Sequence, residues 1–328
     1  MTQVYITIDT EYSSGFAARS GGTERAANFA RSISCETPEG AVGVAYQLDV
    51  FDTHGLKAVY FVDPMPALLW GVAAIEDVVG PIVARGHDVQ LHLHTEWLAL
   101  AGPGSGMPKP LGSNSGMNLK DFAFEDQCRL IARASALLIA AGAPAPVAFR
   151  AGNYGANDDT LRAAAECRLR YDTSHCPGIA GSLCDISLGR QDRQPLHHAG
   201  VIEVPIGCIA GLGGRLRHAQ VTALTAGEVL AAIRHARREG TQSFTLVSHS
   251  FELLSRNRER INTVVKRRFE QLCCGLARLD GVRTATYVDA PPMVQDEPAT
   301  RSILPHNPLR TGRRLAEQAL ANALYGAR

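Results

Sequence analysis

The 328-residue sequence lacks the features that mark several protein classes. It contains no run of about 18 uncharged apolar residues, which argues against a membrane-spanning helix. Its formal net charge is only +1, so we expect no overall attraction to nucleic acid or to an anionic membrane. A Walker or dinucleotide-binding glycine pattern is also missing. With 45% hydrophobic and 20% charged residues, the composition is that of a soluble globular protein.

Disulfide spacing and an export signal are missing as well. The eight cysteines include no Cys-x-x-Cys pair, so we expect reduced thiols. The apolar stretch over residues 4–8 is too short for a secretory signal and has no basic leader. Both observations favour a cytoplasmic location.

Short strand-like runs alternate with helical patterns, which predicts an α/β fold with a mainly parallel sheet. We expect a first strand over residues 4–8, then an irregular segment to about residue 38. Another strand carries residues 90–94, and a last one is expected over 284–288. Glycine, proline and serine are frequent in residues 101–118, which indicates a long loop.

The end of the chain has a different composition. Several prolines follow residue 290, and residues 309–324 show a helical pattern. We therefore predict a barrel-sized domain over 1–290 and, over 291–328, a proline-rich linker with a C-terminal helix. Two questions stay open: whether this extension packs on its own domain or on a neighbour, and whether the protein is a homo-oligomer.

The stretch Gln90-Leu91-His92-Leu93-His94-Thr95-Glu96 has the pattern of a metal-binding strand. In an extended backbone alternate side chains share a face, which places Gln90, His92, His94 and Glu96 together. Two imidazoles and a carboxylate from elsewhere would leave coordination positions open for water and substrate, as catalysis requires. The alternative is a polar strand end whose histidines only form hydrogen bonds.

Other polar residues also fall at predicted strand ends. Asp9 and Glu11 share one face at the end of the first strand. Arg150 and His249 follow later strands. In parallel α/β barrels, catalytic groups cluster at the carboxyl ends of the strands. The candidates for one shared site are therefore Asp9, Glu11, His92, His94, Arg150 and His249.

Four further side chains are candidates for substrate contact. Trp97 either stacks on a sugar ring or packs in the core. Arg256, Arg258 and Arg260 follow the last candidate histidine closely. They either contact an anionic sugar or a nucleotide-linked carrier, or they belong to a solvated surface.

Six segments, taken in order, form a recognisable series. They are Thr7-Ile8-Asp9-Thr10-Glu11, Gly55-Leu56-Lys57-Ala58-Val59-Tyr60-Phe61-Val62, Gly86-His87-Asp88-Val89-Gln90-Leu91-His92, Phe149-Arg150-Ala151-Gly152-Asn153-Tyr154-Gly155, Tyr171-Asp172-Thr173-Ser174 and Ser248-His249-Ser250-Phe251-Glu252. Together they resemble the polysaccharide deacetylase family, carbohydrate esterase family 4. The resemblance covers residues 1–290 and implies a distorted (β/α)7 barrel that removes acetyl groups from amino sugars with the help of a divalent metal.

The resemblance also implies roles for the metal ligands. Glu11 would be the metal carboxylate and His92 the first metal histidine. The family places its second histidine four residues after the first, where this chain has Glu96. His94 is the preferred third ligand because it shares a strand face with His92, and Glu96 is the alternative.

Catalytic roles follow in the same way. Asp9 would be the general base, Arg150 the arginine that orients it, and His249 the general acid. Asp172 would either orient His249 or belong to a turn.

The third motif departs from the family pattern. Residues 150–154 of this chain are Arg-Ala-Gly-Asn-Tyr, where the family has the shorter pattern Arg-x-Pro-Tyr. The backbone amide near Tyr154 is the expected oxyanion contact. Asn153 and Trp97 are the expected substrate contacts.

The resemblance therefore implies a metal-dependent hydrolase that removes an N-acetyl group from an amino sugar. The expected cytoplasmic location favours a precursor of a surface polysaccharide as the substrate. The expected metal is Zn²⁺, with Co²⁺, Ni²⁺ or Fe²⁺ as alternatives. We expect neither nucleic acid nor stable membrane insertion among its interactions. Two other hypotheses stay open: an amidase that acts on another non-peptide C–N bond, and a barrel that binds carbohydrate without turnover.

Overall fold

A computed structural model describes residues 1–102, 106–295 and 302–326. Pro298 of the predicted linker and residues 103–105 of the predicted loop lie outside the described residues. Along the described ranges, strands and helices alternate as the sequence predicts. The strands are β1 (Thr2–Thr10), β2 (Glu36–Thr37), β3 (Gly40–Ala41), β4 (Val59–Val62), β5 (Asp88–Leu93), β6 (Ala148–Ala151), β7 (Tyr171–Asp172), β8 (Leu196–His198), β9 (Val201–Glu203), β10 (Cys208–Ala210), β11 (Leu216–His218), β12 (Ser243–His249) and β13 (Val282–Thr284).

Several helices begin at a residue whose side chain caps them. Thr225 and Glu228 form a capping box at the start of one helix, and Asn157 caps another. Short 3-10 turns occur at Leu119–Asp121, Gly152–Tyr154 and Leu212–Gly214. The α-helices are α1 (Ser14–Arg19), α2 (Arg25–Ser32), α3 (Val44–Thr53), α4 (Ala67–Trp70), α5 (Ala73–Ala84), α6 (Trp97–Leu100), α7 (Phe124–Ala140), α8 (Asp158–Glu166), α9 (Ala226–Arg238), α10 (Thr263–Leu276) and α11 (Pro308–Tyr325).

The central sheet is curled and almost entirely parallel. Strands β1, β4, β5, β6, β7 and β9 follow one another in chain order, and β12 returns to pair with β1. Gly207, which lies between β9 and β10, donates its N–H to the Thr245 carbonyl oxygen of β12 at 2.9 Å. This arrangement confirms the predicted distorted (β/α)7 barrel.

The central strands are buried on both faces because helices cover the outside of the sheet. Tyr5 on β1 and Phe61 on β4 belong to a buried cluster with Tyr287. Ile6 belongs to the larger cluster that includes the helices. Since alternate residues of a strand share a face, Asp9 lies on the same face as Tyr5, at the carboxyl end of β1.

Two sequence predictions about local structure are wrong. The segment after β1 was expected to be irregular, yet it contains α1 and α2. Asn28 on α2 is fully buried and exchanges two hydrogen bonds of 2.9 Å with the Ser13 backbone. The last strand, expected over 284–288, is β13 at Val282–Thr284, and Val288 is 59% exposed. Tertiary contacts determine both the helices after β1 and the bounds of the last strand. A periodic pattern of apolar residues does not indicate either of them.

The C-terminal helix α11 packs on the barrel of the same chain. Arg314 is buried and forms an ion pair with Glu228 on α9. Arg268 on α10 lies 3.0 Å from Glu317. The division of the chain at residue 290 stays a prediction. In the described ranges, no helix combines the length and the apolar character that crossing a membrane requires.

Candidate active site

The parallel register brings the candidate residues to one end of the barrel. Asp9 on β1 pairs with His249, the last residue of β12. His92 on β5 pairs with Arg150 on β6. Glu11 follows β1 directly, so its carboxylate is carried by the same strand as Asp9. The strands thus hold acids, histidines and an arginine at adjacent ends, as the sequence predicts for their positions.

Glu11, His92 and His94 converge into a group able to hold a metal ion. Their nearest ligand atoms all lie within 4.8 Å of one another. Oε2 of Glu11 is 2.5 Å from Nε2 of His94 and 3.3 Å from Nε2 of His92. The two Nε2 atoms are 3.1 Å apart. One carboxylate oxygen and two imidazole nitrogens therefore face a common point.

The hydrogen bonds behind the two imidazoles fix which nitrogen faces that point. Nδ1 of His92 lies 2.7 Å from the Arg150 carbonyl oxygen, which only accepts, so Nδ1 carries the hydrogen. Nδ1 of His94 lies 3.0 Å from Oε2 of Glu96. In the neutral rings, both Nε2 lone pairs therefore point at the Glu11 carboxylate. Such a cluster requires a positive charge, and a divalent cation suits its two nitrogens and one oxygen.

The electrostatics of the cluster also favour a bound positive charge. Burial raises the pKa of Glu11, but the two histidines more than compensate and hold it well below its ordinary value. Burial lowers the pKa of His94, but the Glu11 and Glu96 carboxylates hold it well above its ordinary value. A proton and a metal ion therefore compete for the same nitrogen of His94.

Asp9 and Arg150 form a buried ion pair beside this cluster. Nη1 of Arg150 lies 2.5 Å from Oδ1 of Asp9, and the two side chains are 0% and 5% exposed. Arg150 also donates to Oγ1 of Thr7 at 2.9 Å and to the Thr173 carbonyl oxygen at 3.3 Å, and it lies over the Phe61 ring. These contacts fix the direction of the Asp9 carboxylate.

The partner of His249 is an acid that the sequence analysis did not assign. Nδ1 of His249 lies 2.9 Å from Oε1 of Glu252, and Nε2 lies 3.8 Å from Oδ2 of Asp9. Burial lowers the pKa of His249, but Glu252 and then Asp9 raise it to about 9. The only indication of this pairing in the sequence is the position of Glu252, three residues after His249. The carboxylates around His249 therefore favour its imidazolium form next to Asp9.

Asp172 is the last residue of β7 and bonds to the segment that follows the strand, so it does not lie in the predicted turn. It accepts hydrogen bonds from the backbone N–H and the hydroxyl of Ser174, at 2.8 and 3.0 Å. It is fully buried beside Glu203, and burial raises the pKa of both carboxyl groups. Asp172 therefore supports the loop after β7, while Glu252 orients His249.

Comparisons with solved structures show which fold this is. A protein from Mycobacterium smegmatis, named as a candidate polysaccharide deacetylase, aligns over 86% of this chain and 86% of its own, with a TM-score of 0.51 and 16% sequence identity. The fold is that of the polysaccharide deacetylases. The predicted resemblance is thereby confirmed at the level of the fold.

Two other solved structures have lower scores. A family 4 carbohydrate esterase from Streptomyces lividans, in complex with acetate, aligns over 93% of this chain and 98% of its own, with a TM-score of 0.42 and 12% identity. A family 4 pseudoenzyme from Bacillus anthracis aligns over 93% of this chain and 70% of its own, with a TM-score of 0.40 and 9% identity. No family profile and no curated protein matches the sequence.

Within this polysaccharide deacetylase fold, Glu96 lies behind His94 and not among the ligand atoms. Its Oε2 lies 3.0 Å from Nδ1 of His94, and its Oε1 accepts a hydrogen bond of 3.0 Å from Nδ2 of Asn153. The chain leaves the extended conformation after Leu93, and Glu96 has φ −57° and ψ −26°. The strand alternation that predicted a shared face therefore ends before Glu96, which orients His94.

The third motif forms a tight turn at the rim of the site. Asn153 and Tyr154 both have positive φ, 57° and 55°, which is uncommon for residues other than glycine. Gly152 before them allows the turn to approach His94, because a Cβ there would lie 2.7 Å from Nδ1 of that ring. The turn therefore holds Asn153 against Glu96, at the edge of the metal-binding group.

Trp97 is placed in the core and not on the substrate side. It is 1% exposed and packs edge-on against Trp70, with the ring centroids 5.3 Å apart. No face of its indole is open to a sugar, which argues against the predicted stacking contact. The cavity next to the metal-binding group has a volume of about 170 Å³ and is lined by Glu11, Tyr12, Ser13, Ser14, His94, Glu96, Asn153, Phe251 and Arg258.

Proposed function

We propose that this protein is a metal-dependent hydrolase that removes an N-acetyl group from an amino sugar. The observation that carries the proposal is the convergence of Glu11, His92 and His94 beside Asp9 and His249, the latter two 3.8 Å apart. A metal-binding group with a base candidate and an acid candidate beside it is what amide hydrolysis needs. The polysaccharide deacetylase fold supports the same assignment.

Glu11, His92 and His94 would hold the ion, most suitably Zn²⁺, with Co²⁺, Ni²⁺ and Fe²⁺ as alternatives. A bound divalent ion would supply Lewis-acid chemistry, lowering the pKa of water toward about 7 and polarising the amide carbonyl. Glu96 positions His94 through Nδ1, and the Arg150 carbonyl positions His92. These contacts leave each Nε2 free for the ion.

Asp9 and His249 divide the proton transfers. Asp9 accepts a proton from the attacking water while the water oxygen bonds to the acetyl carbon. Arg150 holds the Asp9 carboxylate in a fixed direction. When the C–N bond breaks, His249 donates its proton to the leaving nitrogen, so the products are acetate and an amine. We propose that a backbone amide near Tyr154 donates to the oxyanion.

Because Glu252 raises the pKa of His249, replacing it should move the pH profile. His249 must be protonated to act as the acid, so its raised pKa extends activity to higher pH. We expect kcat/KM to fall as the pH rises through about 9. Glu252→Gln keeps the shape but removes the charge. We expect the alkaline limb of kcat/KM to move to lower pH by about 1 unit or more.

Glu259→Gln is the matched control, because Glu259 is an exposed acid of the same region that bonds to Asn257. Its alkaline limb should coincide with that of the unchanged protein. If the limb stayed in place in Glu252→Gln as well, His249 would not be the acid that titrates there.

The substrate and the compartment belong to the same proposal. We propose an N-acetylated sugar or a sugar-linked precursor of a surface polysaccharide, modified in the cytoplasm. All eight cysteines are free thiols, which agrees with a reducing compartment. The exposed Asn153 at the rim of the cavity is a candidate contact for the sugar.

Acetate release from N-acetylglucosamine and its oligomers is the direct test. The zinc-loaded protein should release acetate, and the double variant His92→Ala, His94→Ala should not. Turnover of simple amides without acetate release from any N-acetyl sugar would favour the amidase alternative. Sugar-induced stabilisation without any hydrolysis, and equal in Asp9→Asn, would favour a carbohydrate-binding barrel.

A further inference from the structure

The cavity that contains Glu11 and His94 has a cationic wall. Arg258 lines it together with Phe251. The Phe251 ring lies 5.2 Å from the His249 ring, measured between centroids. A ligand in this cavity would therefore touch the metal-binding group and Arg258 together.

Arg258 is held in a defined position. Its guanidinium carbon lies 3.7 Å from the centroid of the Phe251 ring, and Nη1 donates to Oγ of Ser32 at 3.0 Å. The backbone of Arg258 has a positive φ of 60°, in a turn whose amides bond to Ser255. Stacking and turn geometry thus orient the half-buried guanidinium, with N–H groups left for another acceptor.

The surroundings of the Arg258 charge bear on what it could bind. Among the residues that the structure describes, no carboxylate lies within ion-pair distance of it. The carboxylate that acts on it electrostatically is Glu11, whose charge a bound metal ion would neutralise. The nearby Cys35 thiol is neutral, because burial raises its pKa to about 12. A half-buried guanidinium of this kind favours an anionic ligand.

The neighbouring arginines show that this placement is particular to Arg258. Arg260 is 60% exposed, lies 3.6 Å from Glu39 and sits over the Tyr325 ring. Arg256 is exposed and does not line the cavity. Of the three arginines that the sequence analysis named as candidates for anion contact, Arg258 lines the cavity, and Arg256 and Arg260 do not.

We propose that Arg258 binds an oxyanion, a carboxylate or a phosphate, carried by the substrate. This inference rests on the proposed function and makes its substrate an acidic N-acetyl sugar. A planar guanidinium suits either oxyanion, because adjacent N–H groups donate to two oxygens in parallel. Arg258 is thereby a specificity-determining residue, while the proposed hydrolysis itself takes place at the metal-binding group.

Binding of sugars that cannot be deacetylated tests the inference separately from turnover. Calorimetry of the zinc-loaded protein with D-glucose, glucuronate and glucose 6-phosphate should show at least about tenfold tighter binding of one or both acidic sugars than of glucose. Which acid binds better tells whether the ligand is a carboxylate or a phosphate. Arg258→Gln should abolish the preference, Arg258→Lys should retain part of it, and Arg256→Gln, the matched control, should retain all of it.

Two results would overturn the inference. One is equal binding of glucose and both acidic sugars by the unchanged protein. The other is an acidic preference that persists in Arg258→Gln, which would place the anion on the metal or elsewhere. Zinc content equal to that of the unchanged protein verifies that Arg258→Gln is folded. Acetate release from N-acetylglucosamine, N-acetylmuramic acid and N-acetylglucosamine 6-phosphate is measured separately, so its absence would refute the proposed hydrolase and leave the binding result to decide on Arg258.

Discussion

Asp9→Asn should lower kcat by about 10²- to 10⁴-fold and leave the metal content unchanged. The substitution keeps the shape of the side chain but removes its capacity to accept a proton. Asp9 is not among the three residues of the metal-binding group, so the ion should remain bound. Acetate release and elemental analysis of the same preparation measure the two effects together.

The comparison variant is His92→Ala, which should lose both turnover and metal. Circular dichroism of each variant verifies folding, because Asp9→Asn removes the charge that Arg150 faces. Equal metal loss in the two variants would refute this division of roles. Near-normal turnover of Asp9→Asn would show that another group accepts the proton.

Arg150→Met should reduce the free energy of unfolding by about 3–5 kcal/mol. Arg150 is fully buried, and its loss leaves the Asp9 carboxylate buried without its cation. The hydrogen bonds to Thr7 and Thr173 disappear as well. Urea denaturation of the metal-free proteins measures the change.

Arg162→Met provides the matched control. Arg162 pairs with Asp159 on the surface of α8, and its side chain is 54% exposed, so its loss should cost about 0–1 kcal/mol. The double variant Asp9→Asn, Arg150→Met should lose less stability than the sum of its single variants, because the two groups compensate each other. An Arg150→Met protein as stable as the control would mean that the pair does not hold this end of the barrel together.

Sequence periodicity was a sound guide to the strand ends. The alternation along the first strand placed Asp9 and Glu11 on one face, and the alternation along the histidine strand placed His94 beside His92. Both predictions depend on extended backbone, which parallel strands provide. The same argument did not apply to Glu96, because the chain turns after β5.

Other parts of the site depend on contacts between distant segments. Glu252 meets His249 in a turn after β12, which strand periodicity does not describe. The cavity wall formed by Phe251 and Arg258 requires the turn in which Arg258 has positive φ. A sequence pattern indicates that such residues are near one another along the chain, but the direction of each side chain is set by tertiary packing.

The orientation of Trp97 could not be predicted from the sequence. A tryptophan shortly after a site strand suits either a sugar platform or a core position. The choice depends on α6, which turns the indole toward Trp70. Composition and spacing carry no information on that direction.

The most direct test is the metal content of the purified chain, measured by elemental mass spectrometry beside the double variant His92→Ala, His94→Ala. The convergence of Glu11 with these two histidines leads us to expect about one transition-metal ion per chain. The double variant should contain none. Absence of bound metal in the unchanged protein, even after reconstitution with zinc, cobalt or iron, would contradict the proposed metal-dependent hydrolase.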